Sequence, residues 1–312
     1  MPNDDLLHGT LAASVTPLLA GGGDFDDEAF EPLLARYANA GLDGVLVFGT
    51  NGEGVLFSVE ERKRGLRLFV EAAAGRIDTA AHCGAQTTAD TVALAADAGE
   101  AGAKAVAVIG PPYFVLDEAA QLAHFVAAAN ACAPLPFYVY EFAKTSGYPV
   151  ALDVLRRLQE LAPNFVGIKV SDAPWEAFEP YLGLDGLDVF VGPEALIFRG
   201  REGGAIGAVS ALASAFPEHV AAVVRNPTAE GADALATLRA AVERFPRQAA
   251  MKRILAAQGV PVRPDVRAPL RDLSATESRE LAEWIDATLA TGLAGRQSFA
   301  RAAPGVEVIP AR

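Results

Sequence analysis

Basic residues, cysteines and long apolar runs are all scarce in this 312-residue chain. Its 26 lysines and arginines stand against 39 acidic residues, a formal charge of −13. Nucleic-acid backbones and anionic membranes demand clustered Lys and Arg, so the balance argues against both as partners. Two cysteines, Cys83 and Cys132, are too few for a disulfide framework or a zinc ribbon. Free buried thiols in a reducing compartment are expected instead. No uninterrupted apolar run reaches the ~18 residues of a membrane span. The start, Met1-Pro2-Asn3-Asp4-Asp5, has neither the basic region nor the apolar stretch of a secretory signal. A cytoplasmic globular protein is expected.

Cofactor signatures are missing too. There is no G-x-G-x-x-G after the first strand, no G-x-x-x-x-G-K-[ST] and no G-x-S-x-G nucleophile elbow. The four histidines, His8, His82, His124 and His219, show no H-x-H or H-E-x-x-H spacing. His82 ends a strand run and reads either as a packing residue or as one facing a barrel mouth. Neither a metal nor a cofactor is expected, because a first-row metal needs converging ligands. What remains is covalent catalysis by a side chain.

Short Val/Ile/Phe runs alternate with Ala/Leu/Glu/Arg segments of helical period. Strands are expected at 10–15, 45–48, 79–83, 105–109, 137–142, 166–170, 189–191 and 206–210. Helices are expected between and after them at 26–40, 59–74, 89–98, 118–131, 151–161, 175–182, 194–200 and 217–225. Parallel strands need crossover helices, and eight such units predict a closed (β/α)8 TIM barrel over residues 1–226. Residues 227–312 keep helical period without strands, at 232–244, 248–258 and 276–288, and read as a C-terminal helical extension. The tail after Gly292, a Gly/Ala/Pro mix, is expected to fray.

Barrel active sites lie at the C-terminal ends of the strands. There the sixth run, Phe165-Val166-Gly167-Ile168-Lys169-Val170, embeds a lysine in apolar residues. An ammonium is costly to desolvate, which frees the amine for attack on a carbonyl; a carboxylate-paired Lys at the rim is the equal alternative. The second run ends in Gly49-Thr50-Asn51-Gly52-Glu53-Gly54, whose turns can point N–H groups at a carboxylate or form an ordinary Gly-rich loop. In the fifth, period two puts Tyr138, Tyr140 and Phe142 on one face, as packed aromatics or with a proton donor near the strand end. Gly110-Pro111-Pro112-Tyr113-Phe114 presents two aromatics to a site or an interface.

In this order and on these strands, the motifs resemble those of the dihydrodipicolinate synthase/N-acetylneuraminate lyase family of class I aldolases. The resemblance runs from about His8 to Leu270 and includes Arg267-Ala268-Pro269-Leu270. It implies that Lys169 forms a Schiff base with pyruvate or another 2-keto acid and that Tyr140 donates and accepts protons. Thr50 would relay protons, and Tyr113 would reach in from a neighbouring subunit of a homo-oligomer, dimer or tetramer. Thr50 and Asn51 would hold the keto acid's carboxylate through backbone and side-chain donors, and Val209 would pack beside it.

Where lysine-forming synthases of the family carry an Arg for the aldehyde's carboxylate, this chain has Thr145, with Lys144 beside it and expected to point elsewhere. Arg199 or Arg201 could replace that Arg. Glu141, Thr145, Ser146 and Ser171 are candidate partners for hydroxyl groups. The expected reaction is cleavage or condensation of a 2-keto-3-deoxy sugar acid with pyruvate. Dehydration of such an acid and the synthase reaction are the alternatives within the class. A non-catalytic keto-acid-binding barrel is the alternative outside it.

Overall fold

The computed structural model describes residues 6–290. Strands β1 (Gly9–Ala13), β2 (Gly44–Val47), β3 (Asp78–His82), β4 (Ala105–Ile109), β5 (Phe137–Glu141), β6 (Phe165–Val170), β7 (Asp188–Val191) and β8 (Gly207–Ser210) close into a barrel in chain order, every pairing parallel. Around it lie α1 (Phe30–Asn39), α2 (Val59–Ala73), α3 (Thr88–Glu100), α4 (Glu118–Cys132), α5 (Ala143–Ser146), α6 (Leu152–Leu161), α7 (Trp175–Phe178), α8 (Ile197–Glu202) and α9 (Pro217–Arg225). Helices α10 (Ala229–Glu243), α11 (Arg247–Ala257) and α12 (Ala275–Ala290) follow. This is the (β/α)8 TIM barrel that the alternation implied. The N-terminal pentapeptide, and the tail expected to fray, lie outside the described residues.

Local chemistry explains where the helices begin. Ser58 and Glu61 form a reciprocal capping box on α2, while Thr87 and Asp117 cap α3 and α4. Two expected helices are partly 3-10 instead: Glu179–Gly183 follows α7, with Pro180 in its first turn, and Glu194–Leu196 precedes α8. The short α5 interrupts what the sequence read as loop after the fifth strand.

Period two sorts the strand residues into two cores. Inside the barrel, Leu11, Leu46, Ala107, Tyr138, Phe190 and Val209 pack together. The outer faces pack against the helices. Tyr138 fills the lumen, and its hydroxyl accepts from the Leu7 backbone N–H at 3.3 Å. The segment before β1 therefore closes the end opposite the site. Among the described residues no helix is long and apolar enough to cross a membrane.

Candidate active site

Tyr140 on β5 and Lys169 on β6 are register partners, and both side chains enter a cavity of about 450 Å³ at the C-terminal end of the barrel. Lys169 is 7% exposed, and its Nζ lies 4.0 Å from the centre of the Tyr140 ring. Gly167, two residues earlier on the same face, makes room beneath it: a Cβ there would stand 2.9 Å from the Tyr138 ring. Thr50 Oγ1 sits 3.4 Å from the Tyr140 hydroxyl. Burial alone would raise the pKa of that phenol. The Lys169 charge and hydrogen bonds with Thr50, Ser171 and Lys169 outweigh burial and hold it below the usual phenol range. An amine on β6, a readily ionised phenol on β5 and a hydroxyl on the turn after β2 thus form one chain.

His82, on β3, faces Tyr140 edge-on at 5.8 Å between centroids. Its Nδ1 donates to the Phe48 carbonyl at 3.1 Å, and its Nε2 accepts from the Ile109 N–H at 3.4 Å. Burial, with the Arg62 and Lys169 charges nearby, pushes its pKa down to about 3. A neutral ring with both nitrogens engaged is scaffold, the packing alternative.

The turn after β2 is held from several sides. Phe48 adopts φ +58° and buries its ring between Phe57 and Phe69, and Glu53 adopts φ +61°. Thr16 Oγ1 donates to the Gly52 carbonyl at 2.7 Å. A Cβ on Gly54 would meet the Phe48 carbonyl oxygen at 1.7 Å, so only glycine fits. Asn51 departs from expectation. Its side-chain amide donates to the Ala13 carbonyl (2.8 Å) and Ser214 Oγ (3.2 Å), because the residue is buried where β1 and the turn after β8 offer acceptors. Asn51 lines the cavity, but of its donors only the backbone N–H is left for a ligand, and its Oδ1 is buried without a partner.

The outer wall differs most from the sequence reading. Of the four residues expected to meet hydroxyl groups, only Ser171 lines the cavity. Glu141 follows Tyr140, so the pleat turns it away from the lumen, where it accepts from the Val150 N–H at 2.9 Å. Burial there, with the Asp172 carboxyl also bonded to it, raises its pKa to about 8. Ser146 donates to the Phe142 and Tyr148 carbonyls, and Thr145 stands exposed outside the cavity. Lys144, expected to point elsewhere, lines the cavity because α5 turns it inward. Arg199 lies over the Trp175 ring at 4.2 Å and Arg201 donates to the Ala205 carbonyl, so neither reaches the site.

The cations come from elsewhere. Arg239 on α10 and Arg247 on α11 line the cavity together with Glu194 and Glu243. Arg239 Nη1 lies 3.3 Å from both Glu194 oxygens, and its Nε donates to Glu243 at 2.8 Å. Glu194, itself 3% exposed, also accepts from Ser210 Oγ (2.6 Å) and the Leu212 N–H (3.1 Å). The sequence reading missed these three side chains on the C-terminal helices. Their four-residue spacing, Arg239, Glu243 and Arg247, was the available signal.

Of the other anticipated residues, Val209 lines the cavity at 5% exposure. Tyr113 does not reach the cavity of its own chain. It is 86% exposed, at φ +87°, with its ring 4.9 Å from that of Phe114.

Comparison with known proteins gives a family. Residues 6–288 match the dihydrodipicolinate synthetase family. An uncharacterized DapA-like lyase of Chloroflexus aurantiacus is 34% identical over 69% of this chain and 73% of its own. The 4-hydroxy-tetrahydrodipicolinate synthase of Thermus thermophilus is 32% identical over 69% of this chain and 72% of its own. The solved N-acetylneuraminate lyase of Proteus mirabilis superposes with a TM-score of 0.79 at 28% identity, over 88% of this chain and 96% of that one.

Proposed function

Because the chain belongs to the dihydrodipicolinate synthetase family and is a class I aldolase or lyase, we propose that it cleaves or forms a carbon–carbon bond in a 2-keto-3-deoxy sugar acid through an imine on Lys169. The observation that carries this reading is the Lys169–Tyr140–Thr50 chain at the barrel mouth.

A proton passes from Lys169 to the Tyr140 phenolate, the freed amine adds to the keto carbon, and Tyr140 returns the proton as the carbinolamine loses water, leaving the protonated imine and a phenolate. In cleavage, the C4 hydroxyl gives its proton to the Tyr140 phenolate as the C3–C4 bond breaks and C4 leaves as an aldehyde. The bonding pair moves into the imine as an enamine. Protonation at C3 and hydrolysis then release pyruvate and free Lys169. Thr50 hands protons between Tyr140 and the cavity, and the backbone N–H groups of Thr50 and Asn51 hold the keto acid's carboxylate. Val209 packs beside the pyruvyl methyl group. Tyr113 completes the relay from a neighbouring copy in a homo-oligomer. A small soluble substrate and two buried free thiols fit a cytoplasmic setting.

The outer wall supports a polyhydroxylated partner. Ser171, Asp172, Glu194 and Glu243 present acceptors there, and Arg239 is already paired with the two glutamates. A charge-balanced wall suits hydroxyl groups better than a second carboxylate. Lys144 and Arg247 favour the synthase reaction as the second reading, since both bring positive charge to the cavity.

Trapping and turnover test these readings. Pyruvate with borohydride should mark Lys169 alone, as one mass shift in its peptide; labelling elsewhere, or none, rejects the imine. A 2-keto-3-deoxy sugar acid should exceed aspartate semialdehyde by at least ~10-fold in kcat/KM, about 1.4 kcal/mol. The reverse order, with a cyclic product, establishes the synthase. Loss of water without pyruvate release establishes a dehydratase.

A further inference from the structure

Helix α11 follows the last β/α unit by a whole helix, yet it touches the turn after β2 at two points on one face. Gln248 Nε2 donates to the Thr50 carbonyl at 3.2 Å. One helical turn on, Lys252 Nζ donates to Glu53 Oε1 at 2.6 Å and to the Asp265 carbonyl at 2.7 Å. The spacing of four puts both side chains on the same stripe of the helix. The Arg267 backbone N–H holds the other Glu53 oxygen at 2.6 Å. The Lys252 and Glu53 side chains are both 0% exposed.

This arrangement needs an explanation beyond stability. A buried ion pair costs much of its attraction in desolvation, and apolar residues of similar volume often serve stability as well or better. What a directional pair supplies is a fixed geometry. Here the fixed object is the turn that carries Thr50, whose hydroxyl is 3.4 Å from Tyr140. Glu53 and Phe48, the two non-glycine residues of this turn with positive φ, bracket Thr50 and Asn51. Such conformations persist only where the surroundings over-determine them.

We infer that α11 is a clamp on the catalytic turn: Gln248 and the Lys252–Glu53 pair are positioning residues that hold the Thr50 hydroxyl and the Thr50 and Asn51 backbone N–H groups in place for the reaction. This rests on the role proposed above for Thr50, whereas the grip on the turn itself can be measured without it. Gln248 touches the Thr50 backbone and not the Thr50 hydroxyl, so it acts through the turn.

Gln248→Leu keeps the volume and removes the donor at a half-buried position. Amide hydrogen exchange in residues 48–54 should quicken by ~10-fold or more, while exchange in β5 and β6 stays parental. The melting temperature should also stay, and kcat on the best 2-keto acid should fall by ~10–100-fold, the scale of a displacement near 1 Å. Pyruvate trapping at Lys169 should still reach completion, only more slowly. The double variant Glu53→Gln/Lys252→Met removes both buried charges together and should show the same pattern. Unchanged exchange in residues 48–54 overturns the clamp whatever the chemistry proves to be. So does a loosened turn with parental kcat. If the parent protein forms no Lys169 adduct, the imine reading fails, and the exchange measurement still decides the clamp.

Discussion

Two loops at the C-terminal end of the barrel are built on opposite principles. The turn after β2, residues 48–54, is buried, paired with its own chain on several sides, and fitted so closely that Gly54 cannot carry a methyl group. The loop after β4, residues 110–115, is anchored only at its base. Tyr148 donates to the Pro111 carbonyl at 2.8 Å and Gln86 to the Pro112 carbonyl at 2.7 Å. Beyond those anchors Tyr113, Phe114 and Val115 are 86%, 66% and 76% exposed. The first loop is finished by its own chain. The second presents an apolar cluster of the kind that marks an interaction surface. The difference teaches which half of the site one chain completes; the other half is where the proposed second copy would have to dock.

The sharpest way to break this contrast is Gly54→Ala. With the new methyl driven against the Phe48 backbone, stability should fall by about 3 kcal/mol or more, read as a lower urea midpoint. A parental midpoint would mean that the turn gives way and is not fixed. Thr50→Val comes next. It keeps the shape of the turn and removes the hydroxyl, so kcat should drop by ~10²-fold while borohydride trapping at Lys169 survives. Undiminished kcat would take Thr50 out of the proton relay.

The second loop is tested through assembly. Phe114→Ser should weaken self-association by ~10–100-fold in Kd, the transfer cost of one large apolar side chain, measured by sedimentation across a dilution series. No change would place the interface elsewhere. Mixing inactive Tyr113→Phe with inactive Lys169→Ala chains under subunit exchange should restore partial activity. Exchange without recovery would confine Tyr113 to its own subunit or exclude it from the site.

A pH-dependent effect concerns the buried carboxyl that follows Tyr140 on β5. Glu141, raised from an ordinary value of 4.5 to about 8 by burial and by Asp172, keeps a proton in the folded state that the unfolded chain surrenders. Its linkage to stability is therefore fully favourable below about pH 4.5 and is lost as pH rises toward 8, with a slope of at most ~1.4 kcal/mol per pH unit. Glu141→Gln should flatten that decline between pH 5 and 8 in thermal melts. An unaltered slope would assign the decline to other groups.

Much of the central site could be read from strand pattern. Lys169 and Tyr140 stand near the C-terminal ends of short apolar runs, and period two puts Tyr140 on the face of Tyr138, while the register of β5 with β6 is what brings Lys169 beside it. The same rule, applied one residue further, sends Glu141 outward, so counting it among the substrate's partners overlooked the pleat. The donors of Asn51 could not be assigned from sequence, because their acceptors, Ala13 and Ser214, lie 38 and 163 residues away. Lys144 faces the cavity through α5, a single turn of helix too short to leave a periodic signal.

By itself the sequence determined what repeats along the chain: eight alternations of strand and helix, hence a closed parallel barrel, and from period two the residues at its mouth. Hydrophobic patterning encodes those features within a few neighbours of each position. Only the tertiary structure decided who meets them there. Arg239 and Arg247 on the outer wall, and Gln248 and Lys252 gripping the turn of Thr50, come from helices as much as 199 residues from their partners. Contacts at that separation depend on how the chain closes in space, because the energy that selects them exists only after the barrel has brought the two segments together.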